Sequence, residues 1–371
     1  MPPHPGDAAP PDLGGFTTLR LGGPPGRLIE ANDADTLIAA VVDADDADEP
    51  VLVLGGGSNV VIGDDGFPGT VVLVRSVGID SADGCGSAQV IVQAGEPWDA
   101  LVAHTVEQNW AGLECLSGIP GSVGATPIQN VGAYGQEVAD VISRVRVYDR
   151  KTREVRELLP AQCGFSYRDS VFKRRPGRYL VLSVAFRLER GAGSRPIRYP
   201  ELARRLGAGV GDRVPVDEVR DAVLQLRRGK GMVLDSADHD TWSAGSFFTN
   251  PIVAPEVAEQ LPDDAPAFAA AGGVKVSAAW LIDQSGFTKG YGAPGPVTLS
   301  TKHTLALTNR GAATTSDLIE LAGRIRAGVA NRFGITLVPE PVFVNCSLDD
   351  YSNSSEAMRP TPSTRSSSPS A

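Results

Sequence analysis

Between residues 118 and 135 the chain reads GIPGSVGATPIQNVGAYG, with five glycines and no Lys, Arg, His, Asp or Glu. A second glycine cluster, LGGGSN, occupies 54–59. Glycine weakens helix and strand interiors and suits turns and close backbone approaches. Both stretches therefore read as loops joining regular elements, and such loops often meet phosphate. Neither common phosphate motif fits. In 54–59 the third glycine of G-x-G-x-x-G would fall at Val60, and the residues that follow are β-branched instead of a capped helix. GSVGAT lacks the Lys-Ser/Thr pair of a Walker A loop. A neutral loop can still hold a diphosphate through a concave nest of backbone N–H groups. Ser58, Asn59, Ser122, Thr126, Gln129 and Asn130 add hydroxyl and amide groups. A turn-rich connection between strands accounts for the same residues, and both readings stay open on the loops alone.

The 371 residues are enough for two or three domains with a well-buried core. With 34 basic against 44 acidic residues, the net charge of -10 excludes a broad nucleic-acid face but not a small basic pocket for an anionic metabolite. The N-terminus has no basic segment followed by an apolar one, and no apolar run approaches the ~20 residues of a membrane span. A soluble, cytoplasmic protein without membrane insertion is the expectation. Cys85, Cys115, Cys163 and Cys346 are too dispersed for a disulfide framework or zinc motif and read as small apolar residues. The four histidines show no metal-ligand spacing.

Strands are expected at 49–62 (interrupted by the glycine turn), 69–76, 88–96, 141–150 and 179–190. Helices fit 97–109, 216–230 and 314–334. In the second, Val216, Val219, Val223 and Leu226 form one face; in the third, Leu318, Ala322, Ile325 and Val329 do, with a stop at Gly334. Composition divides the chain into a flexible tail (1–14), a first domain (15–192, lobes about 15–75 and 76–192), a connecting segment (193–214), a second domain (215–348) and a disordered Ser/Pro-rich tail (349–371).

Five segments in order, LGGGSN, GLECLSGIPGSVGATPIQNVGAYG (112–135), FSYRDSVFK (165–173), AGSFFTNP (244–251) and AAWLIDQSG (278–286), closely resemble the UDP-N-acetylenolpyruvoylglucosamine reductase family. These are flavin enzymes of bacterial peptidoglycan precursor synthesis, and the resemblance runs from about 16 to 345. It implies an α+β fold: a two-lobed FAD-binding domain of the vanillyl-alcohol-oxidase (PCMH) type, then a C-terminal α+β substrate-binding domain whose end returns to the active site. It implies non-covalent FAD on Gly55, Gly56, Gly57, Ser58, Asn59, Pro120, Gly121, Ser122, Gln129, Gly132, Ala133 and Tyr134.

The implied reaction reduces FAD with NADPH and passes hydride to the enolpyruvyl group of UDP-N-acetylglucosamine enolpyruvate, giving UDP-N-acetylmuramate. By resemblance Arg168 holds the substrate carboxylate, Glu340 is the second catalytic group, and Ser246 is the proton donor. Tyr199, Lys230, Asn250, Lys275 and Lys289 are implied substrate contacts. Read as isolated residues, Arg168 would be an ion pair with a nearby carboxylate, Ser246 a turn or cap, and the lysines solvated surface. His303, where relatives can carry Gln, reads either as a contact to NADPH or substrate, or as a satisfied buried histidine. The Tyr199 loop belongs to one subgroup of the family, and 231–243 is longer than in some relatives. A monomer is expected. Two alternatives are an alcohol-oxidising flavoprotein of the same superfamily and a silent nucleotide-binding homologue.

Overall fold

Strand β1 (Pro25–Ala31), helix α1 (Ala34–Asp46), β2 (Val51–Leu54), β3 (Val60–Ile62) and β4 (Phe67–Val74) open the fold in the computed structural model, which describes residues 11–84, 86–191 and 193–349. β4 runs parallel between β1 and β2, and Thr70–Val74 is buried throughout. A central parallel strand covered on both faces reads as continuous apolar sequence, as TVVLV does. α1 covers one face with Leu37, Val41 and Ala44, and Asp33 caps it by accepting from Thr36 N at 2.7 Å. Leu13, Leu54 and Ile62 fill the other face. Leu13, expected in the N-terminal tail, is thus fully buried; its N–H donates to Gly23 O at 3.0 Å, because an apolar side chain beside this sheet gains more from burial than from solvation. The rest of that tail, 1–10, and nearly all of the C-terminal one lie outside the described residues, as does Cys85. Cys115 and Cys163 are buried, and burial pushes the Cys163 thiol up to about 11.

The strands flanking LGGGSN do not pair with each other. β2 joins β4, whereas β3 pairs in parallel with a strand near the C-terminus.

A second, antiparallel sheet follows in the order β11-β10-β12-β6-β5, from β5 (Ile79–Asp83), β6 (Ser87–Gln93), β10 (Ile142–Asp149), β11 (Glu154–Leu158) and the long β12 (Tyr179–Arg190). α2 (Trp98–Glu107) lies between β6 and the short β7 (Trp110–Ala111), and Trp98 packs on Phe186 with ring centres 6.1 Å apart. The second glycine segment then folds as turns around a two-residue ladder, β8 (Gly132–Ala133) with β9 (Gln136–Glu137). Helical turns α3 (Pro160–Cys163) and α4 (Val171–Arg174) lead into β12.

Helices α5 (Pro200–Leu206) and α6 (Val216–Gly229) pack Leu202, Val219 and Val223 on Cys115 of the 112–135 segment. Asp99 on α2 accepts both Arg220 Nη1 (2.7 Å) and Nη2 (2.9 Å), and also Gly118 N (2.6 Å). This fork locks α6 to the start of the glycine loop. Glu114, fully buried, accepts from Gly112 N, Gln136 Nε2 and Arg195 N at 2.6, 2.9 and 2.8 Å, fixing the same segment from below.

The remaining core gathers β13 (Ile252–Val253), α7 (Pro255–Ala258), β14 (Ala267–Ala270), β15 (Gly273–Val276), α8 (Ala278–Gln284), the β16 (Val297–Leu299) and β17 (Leu307–Asn309) hairpin, α9 (Thr315–Phe333) and β18 (Val342–Val344). α9 buries Leu318, Ala322, Ile325 and Val329, the face its spacing predicts. Leu19, Leu21 and Val61 of the first part enter this core. Among the described residues no helix is long and apolar enough to cross a membrane.

α9 is capped twice. Thr314 and Asp317 form a capping box, while Asp64 after β3 accepts Thr315 N at 2.6 Å and Ser316 N at 3.0 Å. Asp64→Ala leaves two N–H groups of the first turn without this acceptor. A loss of about 1 kcal/mol is expected, lowering the thermal midpoint by roughly 2–4 °C in a melting experiment. An unchanged midpoint would show that water replaces the carboxylate without cost.

Candidate active site

The two glycine loops meet backbone to backbone. A Cβ on Gly56 would lie 2.6 Å from Gly121 Cα, one on Gly55 2.3 Å from Ser122 Oγ, and one on Gly121 2.7 Å from Ser58 Oγ. Gly57 (φ +59°) and Gly121 (φ +118°) also have backbones that disfavour side chains. Along this seam runs a cavity of about 200 Å³ bordered by residues 52–60, by Pro120 and Thr126, and at its far side by Gln129, Val342 and Lys173. Among the described residues Lys173 is the only charged one bordering it.

Beyond that side stands Glu340. Its N–H donates to Phe247 O at 2.8 Å, and Thr249 N donates to Val338 O at 3.0 Å, so 247–249 and 338–340 run as an antiparallel pair. Ser246 is the residue just before this pair; it is half-buried, and its hydroxyl makes no hydrogen bond among the described residues. Asn59 Nδ2 donates to Gln129 Oε1 (2.8 Å) and Glu340 O (3.4 Å), and Val342 N donates to Asn59 O (3.0 Å).

Arg168 Nε lies 3.2 Å from Glu340 Oε1, but it is buried and not aligned for a hydrogen bond. Its other nitrogens donate to Gly132 O (2.8 Å) and Asn130 O (3.4 Å). The residue adopts φ +54°, uncommon for a side-chain-bearing residue, and Lys173 Nζ donates to its carbonyl at 3.2 Å. Burial raises the Glu340 carboxyl above the usual range, against the opposing charges of Arg168 and Lys173.

Arg168 separates two larger cavities. One, about 570 Å³, is lined by Tyr167, Lys173 and Asn250; the other, about 450 Å³, by Gly132, Tyr134, Tyr199 and Lys275. Lys275 places its ammonium 4.8 Å from the Tyr167 ring centre, and Asn250 Oδ1 accepts from Ala278 N at 2.9 Å. Tyr134 and Tyr199 meet edge to face at 5.5 Å. Lys230 lies 5.7 Å from the Tyr134 ring centre and pairs with Glu201 at 2.7 Å. His303 is mostly enclosed, and burial first, then the charges of Lys230, Lys289 and Arg227, drive its pKa down to about 4.

Of the residues singled out from sequence, Arg168 pairs with Glu340, Asn59 with Gln129, Tyr134 with Tyr199, and Lys230 and Lys289 act on His303. Gly132, Ala133 and Tyr134, expected on FAD, instead line the cavity of Tyr199 and Lys275 and not the glycine seam. Three neighbours were not singled out: Tyr167, Lys173 and Arg227. Tyr167 and Lys173 lie inside FSYRDSVFK, and Arg227 sits three residues before Lys230. Arg227 Nη2 donates to Met232 O at 2.8 Å, its Nε is buried without a partner, and burial draws its pKa down to about 10.

A family profile described as FAD binding domain matches residues 25–158, and one described as UDP-N-acetylenolpyruvoylglucosamine reductase, C-terminal domain, matches 237–344. The reductase of that name from Salinispora arenicola is 60% identical, covering 91% of this chain and 95% of its own. That from Streptomyces avermitilis is 57% identical, covering 91% and 94%. The chain belongs to the UDP-N-acetylenolpyruvoylglucosamine reductase family. The crystal structure of the Thermus caldophilus reductase superposes with a TM-score of 0.61 at 26% identity, over 90% of this chain and 97% of that one. The fold is accordingly α+β, an FAD-binding domain followed by the reductase family's C-terminal domain, and the protein is an oxidoreductase.

The cradle suits FAD: the glycines let the two loops close on each other, and the cavity they border carries amide and hydroxyl groups. Gly56→Ala should force the loops apart. Purified protein is expected to lose most of its flavin absorbance while keeping its far-UV circular dichroism; full flavin content would remove the cradle from this seam. A second expectation concerns pH. The folded pKa of His303, about 4, lies below the unfolded value of 6.5, so the unfolded chain binds the proton first as pH falls. Stability contributed by this site is present above pH 6.5 and lost between about 6.5 and 4, at most on the order of 3 kcal/mol. His303→Gln should flatten denaturant-measured stability in that window, and an unaltered slope would exclude the histidine as its cause.

Proposed function

We propose that the protein uses NADPH to reduce UDP-N-acetylglucosamine enolpyruvate to UDP-N-acetylmuramate, in cytoplasmic peptidoglycan precursor synthesis. The observation that carries this reading is the buried Arg168 Nε without a hydrogen-bond partner, set between the cradle and the substrate cavities beside Glu340. A guanidinium so arranged retains donor capacity for a carboxylate.

When bound, FAD supplies a carrier that accepts hydride from NADPH and delivers it to the enolpyruvyl methylene. Arg168 then holds the enolpyruvyl carboxylate and stabilises the negative charge that develops on the adjoining carbon. Ser246 gives that carbon its proton. A serine is a weak acid, so position and a group that returns the proton must compensate. Glu340 stands beside Arg168, and burial holds its carboxyl above the usual range. Lys230, Lys289 and Arg227 provide positive charge for a diphosphate, and Tyr134 and Tyr199 an apolar wall for a sugar or uracil ring. Lys275 and Asn250 line the approach. The alcohol-oxidase alternative is disfavoured because 118–135 holds no His or Cys to tether a flavin, and a silent homologue because Arg168, Ser246 and Glu340 are all retained.

Ser246→Ala should separate the half-reactions. NADPH is expected to bleach the flavin at near the parent rate, while reoxidation by the enolpyruvyl sugar falls by at least ~100-fold. Stopped-flow absorbance reads both steps. Rapid reoxidation in the variant would refute the proton-donor role, and a flavin that NADPH cannot bleach would refute the choice of reductant.

A further inference from the structure

The cradle cavity and the larger cavity beside Arg168 share one charged lining residue, Lys173. It stands on α4, whose N-cap Ser170 accepts from Phe172 N at 3.2 Å and donates to Ile128 O at 2.5 Å. The helical turn is therefore tied to the second glycine loop. The ammonium donates to Arg168 O at 3.2 Å and makes no ion pair among the described residues. It is close enough to Glu340 to favour that carboxylate. A half-buried lysine usually forms an ion pair or extends to solvent; this one donates to a backbone carbonyl and lines two cavities.

Lys173, Gln129 and Val342 all border the cradle, and each is linked to the Glu340 region: Lys173 by its bond to Arg168 O and its charge beside Glu340, the other two through Asn59, which reaches Glu340 O. Hydride transfer requires the reacting atoms nearly in contact. The redox-active ring therefore belongs beside these three residues, with the pyrophosphate along the glycines.

We propose that Lys173 is the cation that offsets the negative charge gained by the bound flavin on reduction. This rests on the reductase reading above and adds a role for one more side chain. Hydride uptake moves two electrons and one proton from NADPH, which leaves as NADP+, and adds one negative charge to the ring system. Among the described residues no other charged group borders the cradle, so the ammonium supplies the ionic charge there. Its effect is to stabilise the reduced form relative to the oxidised one and raise the reduction potential.

The test separates charge from hydrogen bonding. Lys173→Gln removes the charge but keeps an amide able to donate to Arg168 O, and Lys173→Arg keeps the charge. Each FAD-loaded protein is titrated with dithionite against a reference dye, with neither NADPH nor the enolpyruvyl sugar present. The Gln variant should have a two-electron midpoint potential about 30 mV more negative than the parent, a tenfold weaker preference for reduced flavin. The Arg variant should stay close to the parent. Equal potentials in the Gln variant and the parent would overturn the proposal and leave Lys173 only as a support for the Arg168 carbonyl. Dissociation constants of oxidised and reduced FAD give an independent reading: a tenfold loss confined to the reduced form supports the proposal, and equal losses in both overturn it. A parent protein that binds no FAD would instead overturn the reductase reading itself.

Discussion

The gathering of groups at Glu340 depends on the parallel pairing of β18 with β3. This is a contact of three residues against three, Val342–Val344 on Val60–Ile62, between segments about 280 positions apart in sequence. Alone it would be too short to persist. It is held by what flanks it: Gly63 N donates to Val344 O at 2.9 Å, Asn345 Nδ2 to Gly66 O at 3.0 Å, and Val342 N to Asn59 O at 3.0 Å. Asn59 consequently belongs at once to the first glycine loop, to the carbonyl of Glu340 and, through Gln129, to the second glycine loop. No one of these segments can shift without moving the others, which keeps the glycine seam and the Glu340 carboxylate in register although they belong to distant parts of the chain.

Charge is partitioned along the same line. The seam between the glycine loops has no ionisable side chain, and its polarity comes from backbone N–H groups, amides and hydroxyls. Cations begin at Lys173 and Arg168 and continue to Lys230, Lys289 and Arg227 around His303. A backbone nest suits a pyrophosphate bound for the life of the protein because it is fixed by the fold and unaffected by pH. Side-chain cations suit a ligand that must leave, since their strength is tempered by partners. Lys230 has such a partner in Glu201.

The sequence made the regular elements legible where one periodicity dominated. The apolar stripe of α9, the alternation in β12 and the acidic-to-basic run of α6 were readable because burial on one face leaves a repeating signature. Pairing was not legible. VLVL and VVI flank five glycine-rich residues and look like neighbours, yet the loop between them carries the chain from one sheet to another. Strand order is set by tertiary contacts, which local pattern does not encode. Helix α5, inside the segment read as a connection, was missed because its four-residue apolar content is small and begins at Pro200. For the site, ordered motifs placed Arg168, Glu340 and the loops. Lys173 and Arg227 escaped because a lysine or arginine on a helix usually faces solvent. Their significance lies in what they do not pair with, and that is visible only in three dimensions.

Two of the three buried side-chain N–H groups that lack a partner among the described residues belong to guanidiniums, Arg168 and Arg227. Buried polar groups are nearly always satisfied, since each orphan costs roughly 1–3 kcal/mol. Arg168 adds an uncommon left-handed backbone at φ +54°, held by Lys173 on its carbonyl and by the carbonyls of residues 130 and 132 on its side chain. The fold thus keeps one N–H of each guanidinium buried without a hydrogen bond among the described residues, which stability alone does not require. In the proposed reaction an anionic substrate meets both demands: its carboxylate at Arg168 and its diphosphate near Arg227 would satisfy donors already desolvated and oriented. Binding then needs little further reorganisation, and the cost carried by the free protein becomes electrostatic preorganisation for the charge that develops beside Arg168.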